Sequence, residues 1–208
     1  MEPLELLLKY PGPFLCWILP FIGALLTPLF AKINEKLRDY MAVAFSFSAV
    51  ISTTSMIPLL LSGGSHDLKI AKWIVFPSGG ALEVGVLVDP LSIIVANVVA
   101  FISFLIVIYS LGYMEGDPCL TRYWFFFQFF IGSMLLLVLS DNLIQVLIGW
   151  EGVGTCSYGL IGFYYRDSKE RWLGGPPPTP MFPPSHCGMK AFVAVSYTHL
   201  TLPTKAWV

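Results

Sequence analysis

The residue with the clearest potential for chemistry is Glu151, one of only two charged side chains between residues 123 and 165. If a helix begins near Leu143, Glu151 lies about 12 Å along its axis, close to the middle of a membrane. An ionisable side chain at that depth costs several kcal/mol, roughly 2.5–3.5 kcal/mol for aspartate, lysine or arginine. Burial disfavours the ionised form of a carboxyl group, and membrane proton relays use such groups. Glu151 is therefore a candidate for proton transfer.

The surroundings of Glu151 follow from helical spacing. Thr155, Tyr158 and Gly162 fall within about 40° of Glu151 around a helix, so one face carries a carboxyl group, two hydroxyl groups and a gap. Several nearby glycines favour close packing of other helices: Gly149, Gly152, Gly154 and Gly159. The alternative is structural: Glu151 would pair with a lysine or arginine of another helix and hold a bundle together. The two roles are compatible, because a pairing partner also tunes a relay.

The composition indicates the environment in which such a helix lies. Hydrophobic residues make up 56% of the 208, charged residues 12%, and the mean hydropathy is +0.73, whereas an ordinary soluble domain has about 25% charged residues. Too little polar surface remains to cover a water-soluble globule. The formal net charge of −1 provides no basic field for nucleic acid. We therefore expect an integral membrane protein embedded in a lipid bilayer, with no nucleic-acid partner.

The gaps between charged clusters predict an all-α, polytopic transmembrane helix bundle of about five spans. Residues 1–122 would contain three helices, at about 13–31, 40–62 and 88–114, and residues 123–165 would contain two, separated at Ser140-Asp141-Asn142. A Pro/Gly-rich loop would occupy 166–189, and 190–208 would begin the next helix. Asp89 and Asp141 are expected to cap helices. A cleaved signal peptide is the alternative for the first span; the acidic Glu2 and Glu5 argue against it.

Metal and nucleotide chemistry have little support in the sequence. The four cysteines are not spaced as metal pairs, and His186-Cys187 cannot complete a tetrahedral site. The glycine pairs lack the flanks of a phosphate-binding or dinucleotide loop. We expect this chain to bind no metal and no cofactor.

The clearest motif in the chain is SDNLIQVLIGWEGVGTCSY at 140–158, followed by LIGFYY at 160–165. It closely resembles the fifth helix of the L-type, antiporter-like membrane subunit of the proton-pumping NADH:quinone oxidoreductase (respiratory complex I). Supporting matches, in the family's order, are VDPLS (88–92), YSLGYM (109–114), RY (122–123) and MKAFV (189–193). A Trp-Glu pair alone is shared with the M- and N-type subunits and with multisubunit sodium/proton antiporters. The continuation after Glu151 resembles the L type specifically.

The resemblance implies roles for residues and partners. Glu151 matches the glutamate that is a key protonatable residue of the family's proton channel. Lys190 matches the family's lysine in the segment that leads into the sixth helix, and it is a possible second position on the proton path. The chain would be a non-redox, proton-translocating subunit, assembled with M-, N- and J/K-type membrane subunits. NADH or a reduced deazaflavin, flavin, iron–sulfur centres and quinone would belong to partner subunits. The expected location is a prokaryotic cell membrane, with the mitochondrial inner membrane as the alternative.

Two departures from the family's pattern qualify the resemblance. The proline-rich loop at 166–189 replaces the short polar turn of many bacterial relatives, and we associate a longer loop with archaeal enzymes that oxidise a reduced deazaflavin. After residue 193 the family continues with an arginine and an aspartate in a long helix, which this chain lacks. We therefore expect an N-terminal fragment whose residues from about 195 are non-native. The competing functions are a sodium/proton antiporter subunit and a structural scaffold.

Overall fold

The computed structural model describes residues 10–62, 65–75, 81–166 and 181–197. In chain order the elements are α1 (Gly12–Ile33), α2 (Glu35–Thr54), α3 (Ile57–Ser62), β1 (His66–Val75), β2 (Ala81–Val88), α4 (Pro90–Tyr113), α5 (Leu120–Leu139), α6 (Leu143–Ile161) and α7 (Pro184–Phe192), with a π-helical turn at Val193–Tyr197. The chain divides into two compact units, Met1–Gly149 and Trp150–Val208. Each unit is described by itself.

The prediction of a polytopic helical membrane protein is confirmed. Within the described part of the chain, four segments are long and apolar enough to cross a membrane: Gly12–Ile33, Glu35–Leu61, Pro90–Tyr113 and Leu120–Leu139. The second of these contains both α2 and α3. The fifth predicted span, α6, is a helix of 19 residues. It is not among these four segments because its glutamate, glutamine and glycines make it less apolar.

The second helix begins earlier than the expected residue 40. The side chain of Asn34 accepts a hydrogen bond from the backbone N–H of Lys36 at 2.8 Å, so the helix starts at Glu35 and includes several charged residues. A charge gap marks where a helix is apolar, whereas a capping side chain marks where it begins. Near the other end, Pro58 lacks a backbone N–H and cannot donate to the carbonyl of Thr54, which accounts for the break between α2 and α3.

The Gly-rich connector after the second helix is not a simple loop. Strands β1 and β2 form an antiparallel pair in which His66 lies opposite Val88 and Val75 opposite Ala81. In β2 the side chains of Val86 and Val88 are buried, whereas Leu87 between them is exposed. This alternation is the period-two pattern of a half-buried strand.

Polar side chains attach the hairpin to the turn before α6. The amide Nε2 of Gln145 donates to the carbonyl of Gly85 at 2.7 Å, and Asn142 Nδ2 donates to the carbonyl of Glu83 at 3.0 Å. Asn142 Oδ1 also accepts from the backbone N–H of Gln145 at 2.9 Å, which caps α6. The expectation that Asp141 caps this helix is therefore wrong. Because α6 begins at Leu143, the capping position falls at residue 142, and Asp141 instead accepts from the Asn142 amide.

Close packing joins the helices of the first unit. A Cβ atom on Gly23 of α1 would lie 2.7 Å from the Phe45 ring of α2, and one on Gly132 of α5 would lie 3.0 Å from the Phe21 ring of α1. Small residues at helix contacts are typical of membrane bundles because they allow close approach. The first unit thereby holds α1 against both α2 and α5.

In the second unit, α7 begins before the predicted position. Residues 166–189 are predicted to form a loop and residue 190 to begin the next helix, but α7 begins at Pro184. Proline is well suited to the first turn of a helix, because the N–H that it lacks would have no helical partner there. Residues 167–180 and 198–208, which include most of the predicted loop and of the predicted non-native tail, lie outside the described residues.

Candidate functional site

Glu151 lies in the middle of α6, as the sequence predicts. Its Oε2 accepts a hydrogen bond from the hydroxyl of Ser196 at 2.9 Å. Its Oε1 is buried and has no hydrogen-bond partner among the described residues. A carboxyl oxygen that is buried without a donor carries a desolvation cost when the group is ionised. The site therefore has room for a further hydrogen-bond donor at this oxygen.

The π-helical turn at Val193–Tyr197 supplies the immediate surroundings of the carboxyl group. Trp150 Nε1 donates to the carbonyl of Val195 at 3.3 Å, next to the Ser196–Glu151 bond. A Cβ atom on Gly154 would lie only 3.0 Å from Ser196 Oγ. The glycine one turn after Glu151 therefore allows this turn to approach α6.

The polar neighbours of Glu151 differ from those that spacing along α6 predicts. Thr155 and Tyr158 are exposed, and among the described residues Ser196 is the one side chain that bonds to Glu151. Tyr158 packs its ring against Phe192 with centroids 6.1 Å apart. Ser196 was not among the sequence candidates, and spacing along α6 could not have indicated it because it belongs to a different element.

Lys190, the second candidate, lies in the last turn of α7 and is exposed. Its Nζ is 5.9 Å from the centroid of the Phe182 ring, and that ring stacks on His186 at 5.2 Å. None of the ion pairs within the described ranges includes Lys190 or Glu151. A lysine at this end of a helix is also favoured by the helix dipole.

A metal site needs several liganding side chains close together. No three His, Cys, Asp or Glu side chains of residues 10–62, 65–75, 81–166 and 181–197 lie together in a metal-binding arrangement.

Comparison with solved structures identifies a chain with a similar fold. The structure is similar to a chain of the membrane-bound sulfane sulfur reductase, an archaeal respiratory membrane complex. The TM-score is 0.66 at 16% identity, covering 87% of this chain and 33% of that one. At that identity the likeness concerns the fold.

The sequence comparisons point to one kind of subunit. Residues 73–124 match the family described as NADH-ubiquinone oxidoreductase (complex I), chain 5 N-terminus. The chain is 39% identical to NADH-quinone oxidoreductase subunit L of Rickettsia typhi over 155 residues, which cover 74% of this chain and 23% of that protein. It is 37% identical to NADH-ubiquinone oxidoreductase chain 5 of Dictyostelium citrinum over 150 residues, which cover 71% and 22%. The resemblance to the L-type subunit of complex I is confirmed, and the chain spans about a quarter of the length of these relatives.

Proposed function

We propose that this chain is part of a membrane subunit of a respiratory NADH:quinone-type oxidoreductase, in which electron transfer is coupled to proton translocation through Glu151. The chain would act as a translocating subunit and carry out no redox step itself. The similarity to subunit L and chain 5 proteins supports the kind of complex. The buried, unpartnered Oε1 of Glu151 among the described residues carries the assignment of the proton site.

The carboxyl group of Glu151 can alternate between two states in this setting. Its buried Oε1 lacks a hydrogen-bond donor within the described part of the chain, so one oxygen is open to a proton or to a donor from a partner. When protonated, the group can pass its proton to a water molecule or to a basic side chain. Ser196 lies in the segment that departs from the family pattern, so the proposal rests on the position and burial of Glu151 and not on the Ser196 bond.

Lys190 is proposed as a second, lesser position on the proton path. Its Nζ lies over an aromatic ring and takes part in no ion pair within the described residues. The distance from Glu151 would be bridged by water, since no direct bond joins the two side chains in the described segments.

The remaining parts of the proposal concern the assembly. The subunit would lie in a prokaryotic cell membrane beside M-, N- and J/K-type membrane subunits. Flavin, iron–sulfur centres and quinone would be bound by partner subunits. The relatives are named for NADH, which favours NADH over a reduced deazaflavin as the electron donor.

The deciding experiment places the Glu151→Gln substitution in the complete subunit within the assembled complex. Proton pumping into sealed vesicles should fall about tenfold or more, whereas assembly, followed by native gel electrophoresis, should survive. Glu151→Asp should retain part of the pumping because it keeps a carboxyl group. The matched control is Glu83→Gln, which removes a carboxylate from the hairpin and should leave pumping unchanged.

Three outcomes separate this proposal from the other functions. Unchanged pumping in the Glu151→Gln variant would contradict proton transfer and favour a scaffold. Transport that requires sodium would favour the antiporter subunit. Pumping that follows NADH oxidation in sodium-free medium, and that is lost in the variant, supports the proposal.

A further inference from the structure

A polar cavity of about 660 Å³ lies in the first unit, at the ends of four helices. Its lining comes from the junction of α1 with α2, around Glu35–Asp39, and from the connector between α4 and α5, around Glu115–Thr121. All four helices belong to segments long and apolar enough to cross a membrane. The cavity therefore lies where such helices leave the hydrocarbon layer, which is the depth of the lipid headgroups.

The cavity carries both signs of charge, contributed by different connectors. Lys36 and Arg38 provide cationic groups from the α1–α2 side, where Glu35 also contributes a carboxylate. Glu115 and Asp117 provide carboxylates from the α4–α5 side. A free anion would meet these carboxylates, and a free cation would meet the guanidinium and ammonium groups. A ligand with one group of each sign, separated by a short linker, fits both sides.

Arg38 is held in place for this role. It is only 6% exposed; its Nε donates to Asp39 Oδ1 and its Nη1 to Thr121 Oγ1, both at 2.9 Å. The same Asp39 oxygen accepts from Trp124 Nε1 at 2.8 Å, so the ion pair fixes the guanidinium group while Lys36 supplies the unpaired positive charge. The third nitrogen, Nη2, has no acceptor within the described ranges. It is available for a phosphate oxygen.

The surface next to the cavity is apolar and aromatic. Ile33 at the end of α1 is 73% exposed, and Tyr109 and Tyr113 in the last turns of α4 are 65% and 70% exposed. The two tyrosine rings stack with centroids 5.4 Å apart. Tyrosines are enriched at the interface of a membrane with water. Acyl chains can lie along this surface while a headgroup occupies the cavity.

We propose that this cavity binds the headgroup of a phosphatidylethanolamine molecule. The phosphate is bound by Arg38 and Lys36, and the primary ammonium group by Glu115 and Asp117. An ammonium group donates charge-assisted hydrogen bonds to carboxylates, whereas the methylated amine of phosphatidylcholine has no N–H to donate. Phosphatidylglycerol has no cationic group for the acidic side. The geometry therefore favours one headgroup over two others of comparable size.

The test titrates the purified full chain in detergent with phosphatidylethanolamine, phosphatidylcholine and phosphatidylglycerol of identical acyl chains, with binding followed by native mass spectrometry. Phosphatidylethanolamine should bind about tenfold more tightly than the other two lipids. Glu115→Gln should lower its affinity about fivefold and reduce the preference over phosphatidylcholine. Lys36→Gln should weaken the binding of phosphatidylethanolamine and of phosphatidylcholine to a similar extent. The matched control is Lys32→Gln, which removes an exposed basic side chain outside the cavity and should change nothing.

Four results would overturn the proposal. Equal affinity for all three lipids would show that the headgroup is not recognised. Tighter binding of phosphatidylglycerol would indicate an anion site. Displacement of the lipid by millimolar free phosphoethanolamine, without any effect of acyl chains on affinity, would indicate a soluble ligand. An unchanged preference in both Glu115→Gln and Lys36→Gln, with circular dichroism confirming a native fold, would place the lipid elsewhere.

Discussion

Gly188 and Gly162 are in backbone contact: a Cβ atom on Gly188 would lie 2.9 Å from the Cα of Gly162 and 3.0 Å from its nitrogen. The carbonyl of Tyr158 is equally close, at 3.0 Å. Because all three neighbours are backbone atoms, they cannot move aside as a flexible side chain can. This contact sets α7 against the end of α6, and thereby the position of Lys190 within the second unit.

Gly188→Ala should therefore destabilise the chain by about 1–3 kcal/mol, the usual cost of overpacking. The measurement is thermal or denaturant unfolding in detergent micelles. Gly112→Ala is the matched control, because a Cβ atom there meets nothing within 4 Å. It should be neutral or stabilise the helix by up to about 1 kcal/mol. Equal effects of the two substitutions would contradict the close contact.

Two buried indole nitrogens predict different losses of stability when their tryptophans are replaced by phenylalanine. Trp124 Nε1 donates to the charged Asp39 at 2.8 Å, whereas Trp17 Nε1 is buried and has no acceptor among the described residues. Trp124→Phe should cost about 1.5–3 kcal/mol, the range for a hydrogen bond to a charged group. Trp17→Phe should be closer to neutral, because it also removes an unsatisfied donor. Unfolding curves that rank the two in the reverse order would contradict this.

Gln128 of α5 tests what buried hydrogen bonds contribute in this bundle. Its Nε2 donates to the Ala42 carbonyl at 2.6 Å and to Ser46 Oγ at 2.8 Å, and its Oε1 has no partner within the described ranges. Gln128→Leu should change stability by less than about 1 kcal/mol, because lost bonds are offset by removal of an unsatisfied oxygen. Gln128→Ala should cost about 2–4 kcal/mol because it leaves a cavity. A large loss of stability in the Gln128→Leu variant would show that the two lost hydrogen bonds outweigh the removal of the unsatisfied oxygen.

Asp89 should make stability depend on pH. Its carboxylate accepts from the backbone N–H of Ser92 at 2.6 Å, and this bond is the main reason why the pKa of Asp89 lies below its usual 3.8. Because the folded-state pKa is lowered, the group adds stability above about pH 4. That stability is lost as the pH falls through the folded-state value.

The substitutions at Asp89 follow from the same geometry. Asp89→Ala should cost about 0.5–2 kcal/mol at neutral pH, as for other capping residues. Asp89→Asn should keep most of the cap and lose the pH dependence of this position. Melting temperatures recorded between pH 6 and pH 2.5 distinguish the three proteins. An alanine variant that melts like the parent protein at neutral pH would contradict a capping role.

Much of the helical part of the fold was predictable from local sequence. The break at Ser140-Asp141-Asn142 lies between α5 and α6, and Asp89 forms a capping box with Ser92 at the start of α4. Both depend on residues within one turn of each other. The position of Glu151 inside a helix is of the same kind, because it requires only a count from the helix start.

Other features depended on contacts between distant residues. Gln145 donates to the carbonyl of Gly85 in the hairpin from 60 residues away. The Ser196 hydroxyl reaches Glu151 from 45 residues away. Neither contact could be inferred from spacing along a single helix.

The sequence by itself determined that the chain lies in a membrane and which residues lie within its helices, because the cost of placing charge in hydrocarbon adds up locally along about 20 residues. The tertiary structure alone decided that Lys190 faces an aromatic ring and has no ion pair among the described residues. It also decided that one carboxyl oxygen of Glu151 is buried without a donor among those residues. Finally, it placed Arg38, fixed by its hydrogen bonds, beside a cavity. Such relationships depend on the close approach of helices, which is set by the shape and packing of surfaces far apart in the chain.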